Sequence, residues 1–295
     1  MKKFFSARTL LIMSMTIFGT IGWFVRNIPL PSGEIALYRA VMAAILIGGF
    51  LLVTKQKIPF SKIKKEIPLL VLSGVAMGFN WILLFEAYNY TTVSVATLSY
   101  YFAPTIVTLA CPILFKEKMG AKQWICFLMS TLGIVLITGI GDLSQGSSHI
   151  KGILFGLGAA SLYATVILVN KFIKNVDGIH RTFLQFLAAI VVLVPYVLLT
   201  NGVNLQTLNG KGWGFLLAIG VIHTGITYCM YFSSLKELPG QKAAILSYID
   251  PLVAVLISVT VLEETMLPAQ KIGGLLILGF TLWNEIPSKR NKKEG

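Results

Sequence analysis

Apolar residues gather into ten stretches, near residues 9–26, 33–54, 67–86, 92–115, 121–140, 152–173, 181–200, 212–235, 240–262 and 268–286. Short polar segments rich in Lys, Gly and Asn separate them. A bilayer core of about 30 Å takes about 20 mostly apolar residues per helix. The pattern therefore predicts an all-α integral membrane protein with ten transmembrane helices. The tenth has the shortest charge-free run, between Lys271 and Glu285, both able to snorkel to opposite surfaces.

Composition agrees. Of 295 residues, 55% are apolar and 13% charged, with a mean hydropathy of +0.77. Soluble domains carry about 25% charge. The net charge of +13 raises nucleic acid as a partner, and the position of the charges answers it. With the N-terminus inside, the inner loops and tails collect Lys2, Lys3, Arg8, the lysines between Lys55 and Lys65, and Lys289 to Lys293. The outer side receives only Arg26, Lys151, Lys211 and Lys271. This positive-inside bias predicts a plasma (inner) membrane protein with both termini cytoplasmic, and the lipid bilayer rather than nucleic acid as its surroundings. Trp23, Trp124, Trp213 and Trp283 fall at span ends, where amphipathic indoles belong, and Trp81 is buried in the third span. Cys111, Cys126 and Cys229 all lie in spans with no metal or disulfide spacing, and read as packing residues. Lys2 and Lys3 before an apolar run look like a signal peptide, but no small-residue cleavage pattern follows, and the first transmembrane helix is the better reading.

The second five stretches repeat the first five. Ala96, Tyr101, Pro104, Leu109, Glu117 and Met119 recur as Ala243, Tyr248, Pro251, Leu256, Glu264 and Met266 without a gap. Upstream, Arg39 falls opposite Gln185. An odd number of spans per copy places Glu117 on the inner side and Glu264 on the outer side, so two inverted five-helix repeats are expected, 1–143 and 150–288. An outer linker at 144–149 and a basic tail at 289–295 complete the chain. Inverted repeats of this kind build transporters whose site lies at the repeat interface.

The two five-span halves, the ALYRAVMAA stretch around Arg39 and the segment FEAYNYTTVSVATLSYYFAPTIVTLACPILFKEKM resemble the drug/metabolite transporter superfamily, EamA type. The second half answers with YFSSLKELPGQKAAILSYIDPLVAVLISVTVLEE. The resemblance covers nearly the whole chain. It implies secondary transport of small metabolites, commonly export of amino acids or related compounds, and leaves the substrate open.

An ionisable group in hydrocarbon costs at least about 2.5–3.5 kcal/mol, so each one needs a reason. Asp250 lies midway along the ninth span, directly before Pro251, which removes a backbone donor and opens the helix. It is the candidate proton-coupling residue; the competing reading is an N-cap at the break. His223, in the eighth span, is a second candidate for substrate binding or proton exchange with Asp250. Arg39 either snorkels or holds a substrate carboxylate bidentately. Glu86 lies at similar depth, and Arg39 and Glu86 are a candidate ion pair, as gate or clasp. Asn80, Trp81, Tyr100, Tyr101, Tyr228 and Tyr248 are candidate cavity residues with polar tips on apolar bodies. Pro104 and Pro251 are candidate hinges. Gly74–Gly78 and Gly152–Gly156 predict close helix packing within one chain, and a monomer is expected rather than a dimer. Glu117 and Glu264 read as interfacial helix-end residues.

The expected function is transport of a small-molecule, amino-acid-like or amphipathic metabolite, outward, by alternating access and coupled to protons. The alternative is a flippase for a lipid-linked headgroup. No H-E-x-x-H or G-x-S-x-G motif argues for an enzyme, and with three histidines in the chain neither a metal nor another cofactor is expected.

Overall fold

The computed structural model of the protein describes residues 5–56, 58, 63–116, 119–137, 146–176, 178–235, 237, 238 and 240–286. Among these residues all regular structure is helical. The helices are α1 (Ala7–Gly19), α2 (Ile21–Arg26), α3 (Ser32–Val53), α4 (Ile67–Tyr90), α5 (Val93–Tyr100), α6 (Ala103–Phe115) and α7 (Ala121–Ile137). They continue as α8 (Gly146–Asn170), α9 (Gly178–Thr200), α10 (Gly210–Leu217), α11 (Thr227–Leu235), α12 (Gly240–Ser247), α13 (Ile249–Thr260) and α14 (Pro268–Glu285). A π-helical segment, Ala218–Ile226, fuses α10 to α11.

Helix thus occupies every predicted stretch. Among the described residues, seven segments are long and apolar enough to cross a membrane: 7–26, 32–53, 64–90, 93–114, 147–170, 178–200 and 210–235. Two shorter apolar helices follow at 121–137 and 245–260, while the polar ends of α14 (Gln270, Lys271, Asn284, Glu285) dilute its apolar centre. Ile45, Val191 and Leu275 stand 68%, 72% and 73% exposed in helix middles. Water would penalise that surface and lipid would not. The chain is a multi-pass membrane protein. Glu117, Lys62 and the 289–295 tail lie outside the described residues.

Helix ends on one face are tied together. Asn204 donates to Glu34 through its backbone and its amide, at 2.9 and 2.6 Å, and Thr91 meets His149 Nδ1 at 2.8 Å. We call this the Arg26 face. On the opposite face Glu66 accepts the backbone N–H groups of Lys174 (3.0 Å) and Asn175 (3.3 Å), and Arg181 donates to the carbonyls of Ile173 and Val176. Glycines allow the tightest crossings. A Cβ on Gly133 would sit 2.7 Å from the Gly273 carbonyl oxygen, and one on Gly273 2.5 Å from that of Gly133, so α7 and α14 touch backbone to backbone. Gly74 and Gly78 receive α9, at Gln185, Ala188 and Ala189, while Gly152 and Gly156 receive Thr91, Ala96 and Ser99. Close packing within the chain is their role here.

The helices pair in a regular way. α8 packs on α4, α5 and α6, and α1 packs on α11, α12 and α13; α9 packs on α4, and α3 on the π segment. Two further contacts join counterparts of the expected repeat, α3 with α9 and α7 with α14, and α5 packs on α13. Two helices are broken in their middles. α5 ends at Tyr100 with Tyr101 as its C-cap and α6 begins at Ala103, with Pro104 in its first turn. α12 ends at Ser247 and α13 begins at Ile249, with Asp250 and Pro251 in its first turn. A proline in a first helical turn forfeits no intrahelical bond, so each proline is placed where a new helix starts.

Candidate functional site

A cavity of about 420 Å³ lies where these helices meet, lined from both halves of the chain. Arg39, Asn80, Trp81, Tyr100, Tyr101, Tyr228 and Asp250 all line it.

Arg39 is 4% exposed and enters from α3. Its Nε donates to Thr224 Oγ1 at 2.7 Å, and the Thr224 hydroxyl donates in turn to the Ile219 carbonyl at 2.9 Å. That second bond reaches back five residues, so it depends on the π geometry. Two glycines permit the π segment to approach α3, since a Cβ on Gly220 would overlap Met42 and one on Gly225 would overlap Leu46. The guanidinium lies 4.4 Å from the Trp81 ring centre and 5.7 Å from that of Phe85, and Trp81 is itself wedged edge-on against Phe186 at 5.4 Å. The fork is held at its stem and one face. Among the described residues its two terminal amines have no protein acceptor and no carboxylate partner. A buried cation left so is costly unless an anion completes it.

Asp250 approaches from the α12–α13 break. Its Oδ2 accepts the Tyr101 hydroxyl at 2.5 Å, which joins it to the other broken helix. The N-cap of α13 is Tyr248, with no side-chain capping bond, and Asp250 lies in the first turn, so Asp250 is a cavity group and not the N-cap at the break. Tyr163, Tyr88 and Tyr231 join Tyr100, Tyr101 and Tyr228 in an aromatic wall; Tyr100 lies 5.3 Å from Tyr163 and Phe18 lies 5.2 Å from Tyr228. Asn80 lines the cavity while its amide donates to the Ala159 carbonyl at 2.6 Å, fastening α4 to α8. Gln185, opposite Arg39 in the repeat, donates to Ser73 at 2.5 Å and to Asn170 at 2.8 Å. It forms a neutral counterpart to the arginine.

Three expectations need correction. His223 does not line the cavity and makes no bond to Asp250. Its Nε2 meets Thr20 Oγ1 at 2.9 Å, its Nδ1 meets the Ala218 carbonyl at 3.2 Å, and Phe24 lies edge-on at 4.4 Å. Both ring nitrogens are engaged in helix packing. Glu86 does not pair with Arg39. Arg39 stacks on Trp81 and Phe85, and Glu86 lies a further 100° around α4, where Ser32 donates to it at 2.6 Å and Asn89 at 3.3 Å. Tyr248 is buried at the helix break, off the cavity wall.

Glu264 is more than an interfacial helix end. Its side chain is 8% exposed, pairs with Arg26 Nη1, accepts the Ser258 hydroxyl, and accepts the Val93 backbone N–H at 2.8 Å. Arg26 also donates to the Tyr88 carbonyl from Nε (3.2 Å) and Nη2 (3.0 Å), and to that of Thr91 at 2.6 Å. Among the described residues no group of three His, Cys, Asp or Glu side chains is arranged to hold a metal ion.

This tyrosine-walled chamber between the two sequence halves, with Arg39 on one side and Asp250 on the other, is the candidate binding site. The sequence profile of the EamA-like transporter family matches residues 6–139 and, a second time, residues 150–284. The chain belongs to the EamA-like transporter family. This EamA-like chain is 31% identical over 248 residues to a protein of Bacillus subtilis (strain 168) described as uncharacterized transporter YxxF, covering 84% of this chain and 79% of that one. An uncharacterized transporter of Archaeoglobus fulgidus is 27% identical over 93% of this chain and 95% of its own. Protein PecM of Dickeya dadantii is 25% identical, covering 88% and 86%. A solved crystal structure superposes with a TM-score of 0.65 at 16% identity, over 93% of this chain and 95% of the other, a likeness of fold alone. The EamA-like protein is accordingly a membrane transporter.

Proposed function

We propose that the protein is a secondary transporter that exports a small amino-acid-like metabolite across the plasma membrane by alternating access. The observation that carries this reading is the presentation of Arg39 and Asp250, one from each half, to a single tyrosine-walled cavity. Arg39 takes the substrate carboxylate on its two open amines. Asp250 and the tyrosine faces take the amine, and Asp250 carries the coupling proton. The apolar middle of the wall accepts the side chain.

Ten spans form two inverted repeats in this reading. The packing supports it: α8 on α4 and α1 on α11 are the same contact with the halves exchanged, as are α9 on α4 and α3 on the π segment. Five spans per unit turn the pseudo-twofold axis into the membrane plane. Rocking one unit on the other, with Pro104 and Pro251 at the breaks as hinges, would expose the cavity to each side in turn. Both termini are cytoplasmic and the Arg26 face is external. Cysteines placed at Gly146 and Lys62 are expected to react with an impermeant thiol reagent from opposite sides; reaction of both from one side would overturn the orientation and the repeat inversion together.

The function is tested by counterflow in proteoliposomes with labelled amino acids, amines and small carboxylates. Exchange confined to zwitterions supports the two-anchor site. Silence across the panel from folded protein would favour translocation of a lipid-linked headgroup.

A further inference from the structure

A second concavity, of about 360 Å³, opens on the Arg26 face and is lined by Arg26, Leu30, Ser32, Ile35, Tyr88 and Asn89 among others. Tyr88 also lines the central cavity. It is 3% exposed and belongs to the wall between the two chambers. Its hydroxyl lies 3.5 Å from Thr97 Oγ1, and its carbonyl takes two bonds from Arg26.

The ties around this wall converge on one ion pair. Arg26 fastens the end of α4 through the Tyr88 and Thr91 carbonyls. Glu264 fastens the start of α5 through the Val93 N–H, and Ser258 adds a bond from the Ser94 N–H at 3.2 Å. Glu264 follows Glu263, whose φ of 53° is left-handed; this turn returns the carboxylate toward Ser258 and Arg26. The Arg26–Glu264 pair thus clamps the α4–α5 corner of the first half to the α13–α14 corner of the second. Parting the halves on this face breaks it. Glu86, off the central site, holds Ser32 and Asn89 on the wall of the outer chamber.

We propose that the outer concavity is a vestibule on the substrate path, that Tyr88 is the plug between it and the central cavity, and that the Arg26–Glu264 pair is the latch that keeps the plug in place. The vestibule wall carries Arg26, Ser32 and Asn89, a polar set suited to a hydrated carboxylate leaving Arg39. When the latch opens, Arg26 exchanges Glu264 for that carboxylate, so departing substrate holds the path open until it escapes. This rests on the transporter reading, and gating is measured without reference to any substrate.

The test uses full-length protein with the three native cysteines replaced and a single cysteine at Ala254, on the central cavity wall. A membrane-impermeant methanethiosulfonate is applied to each side of oriented vesicles. The parent is expected to be protected from the Arg26 side. Glu264→Gln, which keeps an acceptor for the Val93 N–H, and Tyr88→Ala are each expected to raise labelling from that side by about tenfold, the population change carried by 1.4 kcal/mol. Unchanged protection in both variants would overturn the proposal. A second measurement does not depend on weakening the pair. Arg26→Cys/Glu264→Cys protein bridged by a bifunctional thiol reagent is expected to remain protected at Ala254→Cys under all conditions and, where a substrate is known, to stop counterflow until reduced. Counterflow through the bridged protein would make the pair a static brace. Gated labelling with no transported compound would leave the gate standing and the substrate reading failed.

Discussion

Arg39→Met protein is expected to lose substrate affinity by about a hundredfold while melting at the parent temperature or above it. The two effects have one cause. The guanidinium is buried, held at Nε by Thr224 and stacked on Trp81, with no carboxylate partner among the described residues. An anion bound at the two terminal amines would offset the desolvation that burial imposes on them. Removing one partner of a buried, hydrogen-bonded charge pair costs about 2–5 kcal/mol of binding, which is 30-fold or more at about 1.4 kcal/mol per decade. Replacing buried charge by an apolar group of similar length is commonly neutral or stabilising. The Thr224 hydroxyl keeps its bond to the Ile219 carbonyl, so methionine leaves no new unpaired donor. The measurement pairs a melting curve with the counterflow half-saturation constant, for the substrate and for its methyl ester. The ester should bind parent protein as weakly as the free acid binds Arg39→Met, and should lose nothing further in the variant. A variant that melts well below the parent would make Arg39 a structural strut instead.

Much of this site was legible in the sequence, because intramembrane charges are few and helical faces are regular. Asn80 and Trp81 point to a stripe at Met77, Asn80, Trp81, Leu84 and Tyr88, spaced by three or four residues, and the cavity follows that stripe to its end. Tyr163, Val166, Ile167 and Asn170 form the same signal on α8, and Tyr228, Tyr231 and Phe232 on α11. Extending each stripe from its recognised member would have found Tyr88 and Tyr231. Other features were hidden for physical reasons. His223 has the composition of a site residue, yet the π segment turns it toward Thr20 and Phe24. The π segment sets Gly220 and Gly225 against α3, and no local propensity announces a π-helix. Arg26 and Glu264 stand 238 residues apart at span ends, where charges are expected to be solvated. Only the docking of the halves brings them together. Tyr248 matched Tyr101 in sequence, but only Tyr101 reaches a carboxylate, since its partner Asp250 has Ala103 as its own counterpart. The expected repeat predicts position, and the two charged cavity residues stand where its residues differ, Arg39 opposite Gln185 and Asp250 opposite Ala103.

Asp250→Asn follows from that difference and separates binding from energy coupling. Asp250 Oδ2 accepts the Tyr101 hydroxyl at 2.5 Å, and the amide oxygen of asparagine can accept the same bond, so the contact between the two helix breaks survives. Asparagine neither takes up nor releases a proton. Counterflow exchanges labelled for unlabelled substrate with no net proton movement, and is expected to persist within about tenfold of the parent, the scale of exchanging a charged for a neutral hydrogen bond at about 1.4 kcal/mol. Accumulation driven by a pH gradient is expected to vanish, and the pH dependence of exchange to flatten with it. Tyr101→Phe gives the complementary result. It leaves the carboxyl able to titrate but frees it from its anchor, so coupling should survive with a displaced pH profile. If Asp250→Asn protein still accumulated substrate against a pH gradient, the coupling ion would have to be carried elsewhere. Among the described residues Arg39 and Asp250 are the only side chains of Asp, Glu, His, Lys or Arg lining the central cavity. An accumulating variant would therefore point away from proton coupling at this cavity and toward transport driven by the substrate gradient alone.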